Sequence, residues 1–302
     1  MNRFFLAGLS LFFATWTLSS AQAKCIGLIT AGWHHNFWHS LVEGGQEAAR
    51  ELGQKLVFRA PRQEGETAQQ IKLMLSIRKY GCNAFVIAPV DRSINALVNN
   101  WDRDNVPTIY VDRPAFGQSR ITSLVMTNNY QAGRDAAREL DAILPPDAVI
   151  ALLGLQKGVT STDARENGFR DFMIEKGRPI QIEAYLGTTH EEALWRAQEL
   201  FGQYEGPPIN GVFTSNESTT EGVIEALSIL TQDRPIHVGF DDSPKIRAAI
   251  KNEALFGAVI QDPYQMGYQS VMLANRIRQG EPVPSRVFTG HTFLNMANLE
   301  VF

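Results

Sequence analysis

Thr108-Ile109-Tyr110-Val111-Asp112-Arg113 is the stretch from which the fold can be read, because an apolar run ends abruptly in two groups of fixed hydrogen-bonding capacity. Other runs repeat the design. Gly211-Val212-Phe213-Thr214-Ser215 leads into Asn216, Ile236-His237-Val238-Gly239-Phe240 into Asp241, and Phe256-Gly257-Ala258-Val259-Ile260 into Gln261. Ala84-Phe85-Val86-Ile87-Ala88 leads into Pro89-Val90-Asp91. Apolar runs this short, separated by stretches of helical spacing, read as parallel strands buried on both faces. In open α/β sheets ligands sit beyond the carboxyl ends of the strands, so residues placed there are the ones a ligand meets. Asp, Arg, Asn and Gln bring directional donors and acceptors, and none of them has to act as a base. A neutral, hydroxyl-rich molecule suits such a site.

Working outward, strands are expected over 25–30, 55–60, 84–89, 108–113 and 122–127. Helices over 36–52, 67–80 and 93–104 alternate with them, the last capped by Ser93. The pattern then starts again. Strands at 148–154, 180–186, 211–215, 236–240 and 256–261 alternate with helices at 130–144, 161–176, 190–204, 219–230, 244–251 and 264–279. The tail over 287–298 is partly extended. Regular alternation predicts an α/β protein with two doubly wound parallel sheets, one per half, since a single sheet would need more strands than open sheets usually hold.

The amino terminus speaks for export. Asn2-Arg3 is a short positive region, Phe4 to Trp16 is almost wholly apolar, and Ala21-Gln22-Ala23 fits the small-x-small cleavage rule. Residues 1–23 therefore read as a signal peptide, with a periplasmic chain starting near Lys24. The apolar stretch is too short to span a bilayer. Lys24 before Cys25 does not resemble a lipidation site. A formal net charge of −4 without a basic cluster argues against nucleic acid or an anionic membrane as partner. Cys25 opens the first strand and Cys82 precedes the strand at 84, and those strands are neighbours in a doubly wound sheet. In an oxidising compartment a disulfide between them is favoured over two buried thiols.

The strand-end residues resemble those of the type I periplasmic sugar-binding proteins, the ribose-binding group, whose core is shared with LacI-type repressors. The resemblance spans essentially the whole exported chain. It rests on Asn36-Phe37-Trp38, Tyr110-Val111-Asp112-Arg113, Asp163-Ala164-Arg165-Glu166-Asn167-Gly168-Phe169, Asn216-Glu217, Val238-Gly239-Phe240-Asp241 and Ile260-Gln261-Asp262-Pro263, in this order. It implies two lobes, 24–126 plus 262–288 and 127–261 plus 289–302, joined by a three-strand hinge near Met126, Gln261 and Phe288. It also implies that Phe37 and Trp38 stack on a sugar ring whose hydroxyls meet Asp112, Arg113, Arg165, Asn216, Asp241 and Gln261. The pattern is not matched throughout. His35, preceded by Trp33 and His34, stands where the ribose-binding pattern has Asn, which places His35 at the rim. Thr188 or Thr189, then His190, stands where a second-lobe aromatic is expected. These departures point away from ribose itself toward another pentose, a hexose, a furanose form or a polyol.

No catalytic group, metal or cofactor is expected. His35 and His39 have i, i+4 spacing, but no third ligand accompanies them. An Asp112–Asp241 glycosidase pair would face a cleft whose donors hold both carboxylates ionised. The expected protein is a monomeric receptor that closes around a monosaccharide or similar polyol and delivers it to the permease of an ABC-type importer. A sensor presenting the same ligand to a chemoreceptor or histidine kinase is the alternative.

Overall fold

The computed structural model describes residues 25–114, 117, 119–230 and 234–301. The expected signal peptide lies outside these residues. The first half runs β1 (Cys25–Ile29), α1 (Asn36–Glu51), β2 (Lys55–Arg59), α2 (Thr67–Lys79), β3 (Ala84–Ile87), α3 (Ile94–Arg103), β4 (Thr108–Val111) and β5 (Ser123–Thr127). The second continues with α4 (Asn129–Asp141), β6 (Val149–Gly154), α5 (Thr160–Glu175), β7 (Ile182–Tyr185), α6 (His190–Gln203), β8 (Ile209–Thr214), α7 (Glu217–Ser228), β9 (Ile236–Phe240), α8 (Pro244–Lys251) and β10 (Gly257–Gln261). The chain ends with α9 (Pro263–Arg278), β11 (Arg286–Thr289) and β12 (His291–Asn295).

Among the described residues these strands form two sheets, ordered β11-β5-β4-β3-β1-β2 and β12-β10-β9-β8-β6-β7. Strands β1, β3 and β4 are buried along their whole length, as central strands covered on both faces must be. Their side chains alternate between two apolar layers. Ile26, Leu28 and Val86 fall on one side, with Ile29, Phe85 and Ile87 on the other. Edge strand β2 buries only Val57. The expected α/β class with two mostly parallel sheets is what the chain adopts.

Two expectations are corrected. β12 pairs antiparallel with β10, Gln261 opposite His291. The chain enters the second sheet there at the end where β10 leaves it, so it can only run back along its neighbour. Ser93 precedes α3 but makes no side-chain cap bond. Its own N–H donates to Asp91 Oδ1 at 2.8 Å, so aspartate organises this turn.

The chain passes between the sheets after β5, after β10 and after β11. Each passage sits next to a strand end that carries polar groups. Cys25 and Cys82 form a disulfide with a Cα–Cα distance of 4.3 Å, joining the amino ends of β1 and β3.

Glycines set how closely the helices approach. A Cβ added to Gly44 would lie 2.0 Å from the Tyr264 carbonyl oxygen, and one on Gly267 1.8 Å from that of Leu41. Helices α1 and α9 therefore touch backbone to backbone. The other sheet repeats the device for α4 and α5, where a Cβ on Gly133 would lie 1.9 Å from the Arg165 carbonyl oxygen and one on Gly168 2.0 Å from that of Tyr130. No other residue type fits at such contacts.

Candidate functional site

Asp112 follows β4 and Asp241 follows β9, and both take left-handed backbone, with φ of 67° and 74°. Each N–H donates at 2.9 Å to the adjacent strand, to the Val125 and Val259 carbonyls respectively. Asp tolerates this conformation better than most residues, and strain of this kind concentrates at functional sites. The two sheets thus present matched carboxylates at equivalent strand ends.

Asp241 gathers three neighbours. Its Oδ1 accepts from Gln261 Nε2 at 2.6 Å, its Oδ2 accepts from the Glu217 N–H at 3.0 Å, and Arg165 NH1 lies 3.7 Å away. Thr127 Oγ1 donates to Gln261 Oε1 at 2.9 Å, so residues at two of the passages are bonded to each other. Arg165 is 3 % exposed. Its Nε donates to Asn129 Oδ1 and its NH1 to the Ser215 carbonyl, each at 2.9 Å, and its guanidinium lies 3.8 Å from the Phe240 ring centroid. Burial pulls the Arg165 pKa down although Asp241 and Asp112 face it.

Asp112 is 7 % exposed, and its Oδ2 accepts from Arg113 Nε at 3.2 Å. Burial raises its pKa to about 6, against the pull of Arg113 and Arg165. Desolvation thus outweighs the two guanidinium groups in setting the direction of the shift, although a carboxyl with a pKa of about 6 is still mostly ionised at neutral pH. A ligand hydroxyl donating to Asp112 would favour the ionised form and lower that pKa. Binding should then release a proton, and affinity should fall as the pH drops through about 6. Calorimetry at pH 6 in buffers of different ionisation enthalpy checks this, and an observed heat independent of buffer would overturn it.

His35 Nδ1 lies 3.1 Å from Glu217 Oε1. That hydrogen bond, opposed by burial and aided by Glu64 and Asp241, raises the histidine to about 8. The bond ties the start of α1 to the start of α7, and so one sheet's helices to the other's. His39 turns elsewhere, its Nε2 lying 3.0 Å from the Trp33 carbonyl oxygen.

The two aromatics do not present themselves alike. Phe37 lines a cavity of about 400 Å³ together with Glu217, Asp241, Gln261 and His291. Trp38 is 2 % exposed and stands edge-on to Phe37, with ring centroids 4.9 Å apart and planes at 89°. Adjacent helical residues point about 100° apart, so one ring faces the cavity and the other supports it from the core. Asn216 caps α7, its Oδ1 accepting from Thr219 N–H at 3.3 Å, and its amide donates to Ser218 Oγ at 2.9 Å. Thr189 caps α6 in the same way, accepting from the Glu192 N–H. Asp112 and Arg165 form a more buried layer, which Arg165 joins to the cavity wall through Asp241, and Arg113 lies partly exposed beside Asp112.

Glu64, Glu217, Thr127, Asn129 and Ser215 join this network without having been anticipated. Glu64 lies after β2, where the strand-end rule applies as well. The charged stretch Arg62-Gln63-Glu64-Gly65-Glu66 offered no means of choosing among its members.

Two sheets joined by three passages, with polar residues facing each other from their carboxyl ends, define a class of protein that holds a small polar molecule between two lobes. The chain belongs to the periplasmic binding protein domain family, which matches residues 26–282. It is similar to a solved sugar transport component from Hahella chejuensis, at 31 % identity, covering 90 % of this chain and 100 % of that one with a TM-score of 0.81. A solute-binding protein from Agrobacterium radiobacter, solved with D-arabinose, is 27 % identical, with 93 % and 97 % covered and a TM-score of 0.82. The ribose import binding protein of Bacillus subtilis is 26 % identical over 268 residues, 87 % of this chain and 84 % of that one.

Proposed function

We propose that this chain is an exported receptor that closes around a monosaccharide or similar polyol and delivers it to the permease of an ABC-type importer. The carrying observation is Asp112, a buried carboxylate with a single side-chain donor among the described residues and a pKa of about 6, set in the same charged network as Arg165 and Asp241 of the other sheet. Several ligand hydroxyls would relieve that deficit. The cavity of about 400 Å³ is in the usual range for small-molecule sites. Sugar-binding relatives support the same reading.

In this reading residues 1–23 direct export, and the receptor works in the periplasm as a monomer without catalysis. The lobes are 24–126 plus 262–288 and 127–261 plus 289–302. Hinge closure is the motion for which periplasmic binding proteins are already the standard example. Phe37, backed by Trp38, meets the ring, while Asp112, Arg113, Arg165, Asp241 and Gln261 meet hydroxyls. His35 and Asn216 stand at the rim.

A thermal-shift screen over pentoses, hexoses and polyols tests the proposal, because a ligand bound only by the folded form must raise the melting temperature. No shift with any of them would overturn it. With a sugar that does bind, Arg113→Ala is expected to weaken affinity by about tenfold, since it removes a fork of donors from Asp112 and Glu64. Unchanged affinity in calorimetry would remove Arg113 from the site.

A further inference from the structure

Glu64 holds two of the site's groups at once. Its Oε1 accepts from the Trp38 indole Nε1 at 2.8 Å, and its Oε2 accepts from the Arg113 guanidinium. The same guanidinium lies 5.8 Å from the Trp38 ring centroid and donates to Asp112. Trp38 in turn stands edge-on behind Phe37. One carboxylate therefore closes a loop of contacts linking the aromatic wall to the Asp112–Arg113 pair.

The backbone is shaped to allow this. A Cβ on Gly32, in the turn after β1, would lie 2.8 Å from Glu64 Cγ and 3.2 Å from its backbone nitrogen. Gly32 has no positive φ, so its lack of a side chain serves the approach of the 61–66 segment rather than a turn. The carboxyl is held below the usual carboxylate range. Burial opposes this, and Arg113, the indole N–H and His35 outweigh it. Solvent still reaches 35 % of the side chain, so the group sits at the mouth of the network rather than beneath it.

We propose that Glu64 is a positioning residue of the binding site, a single carboxylate that fixes the Trp38 indole and the Arg113 guanidinium relative to each other. Recognition of the ring face and of the hydroxyls it carries is then set as one unit. The role rests on the sugar-receptor reading above, and it predicts that disturbing Glu64 lowers affinity without unfolding the chain.

The variants separate the two halves of the contact. Glu64→Gln keeps an oxygen for the indole and loses the charge facing Arg113. Glu64→Ala loses both. Gly32→Ala leaves the carboxylate intact and displaces it. In unliganded protein the Trp38 indole N–H resonance, assigned by its loss in Trp38→Phe, is expected to shift upfield and exchange faster in Glu64→Ala. It should stay close to wild type in Glu64→Gln and move in Gly32→Ala. Calorimetry with D-arabinose, or with the sugar the thermal-shift screen finds where D-arabinose does not bind, should show affinity falling about tenfold in Glu64→Ala and about threefold in Glu64→Gln. An unmoved indole resonance in Glu64→Ala overturns the proposal, as does a moved resonance with wild-type affinity. If wild-type protein binds no sugar at all, the receptor reading fails, while the indole resonance still decides whether Glu64 positions Trp38.

Discussion

Asp241→Ala is expected to weaken sugar binding by about a hundredfold, or roughly 2.8 kcal/mol at 1.4 kcal/mol per decade. Asp241 accepts from Gln261 Nε2 and from the Glu217 N–H, and its Oδ2 lies 3.7 Å from Arg165 NH1. Its removal leaves a guanidinium that is 3 % exposed without the carboxylate nearest to it. An uncompensated buried charge is among the more damaging consequences of a single substitution. It also frees Gln261, and with it the bond to Thr127 that ties two passages together. Alanine carries a separate penalty at φ of 74°, so Asp241→Asn is the cleaner comparison. Asparagine tolerates that backbone and keeps the size, while losing the charge and setting its amide N–H2 against one of the two donors, Gln261 Nε2 or the Glu217 N–H. Calorimetry on both, with whichever sugar the screen finds, should show Asn weakened and Ala weakened further. Wild-type affinity in Asp241→Asn would show that the charge plays no part in binding.

The second large effect is on stability. Reducing the Cys25–Cys82 bridge, or replacing both residues by alanine, is expected to destabilise the fold by about 4 kcal/mol, since the bridge closes a loop of sequence separation 57. The melting temperature should fall on the order of 10 °C. Affinity should stay at the wild-type level, because the bridge joins the amino ends of β1 and β3 while the site lies at their carboxyl ends. Scanning calorimetry with and without reductant reads the first effect and a titration the second. An unchanged melting temperature would mean that the reduced chain is already held by β1–β3 pairing.

The fold was legible because buried parallel strands leave an unusually plain signature. Runs such as Ala84-Phe85-Val86-Ile87 have no polar face to confuse the reading. Which strand ends carry charged groups was equally plain, since Asp112, Arg113 and Asp241 directly follow such runs. What sequence could not show was how the side chains share their bonds. Asn216 reads as a ligand contact, yet its carbonyl oxygen is engaged by the first turn of α7 and its amide donates to Ser218. Trp38 reads as a stacking ring, yet it lies in the core behind Phe37. Asp112 reads as an ordinary carboxylate beside an arginine, and only its burial shows that its pKa is raised, to about 6, in spite of two guanidinium groups. Glu64 stayed hidden because a polar loop gives no periodicity, and its partners lie 26 and 49 positions away.

The paired glycines bear on how such a molecule could be read from outside. In each lobe a helix that leaves a passage, α9 or α4, is clamped to a helix bearing residues of the site, α1 or α5, with no side chain between their backbones. Contacts that tight leave no room for compliance. A push on Phe37 or Arg165 cannot dissipate as local repacking and must reappear as displacement of the whole body. If the proposed hinge closure holds, whatever occupies the cleft would thereby be converted into a single scalar, the angle between two stiff bodies. A membrane partner gripping their outer faces would sense that angle and remain indifferent to the chemistry that set it.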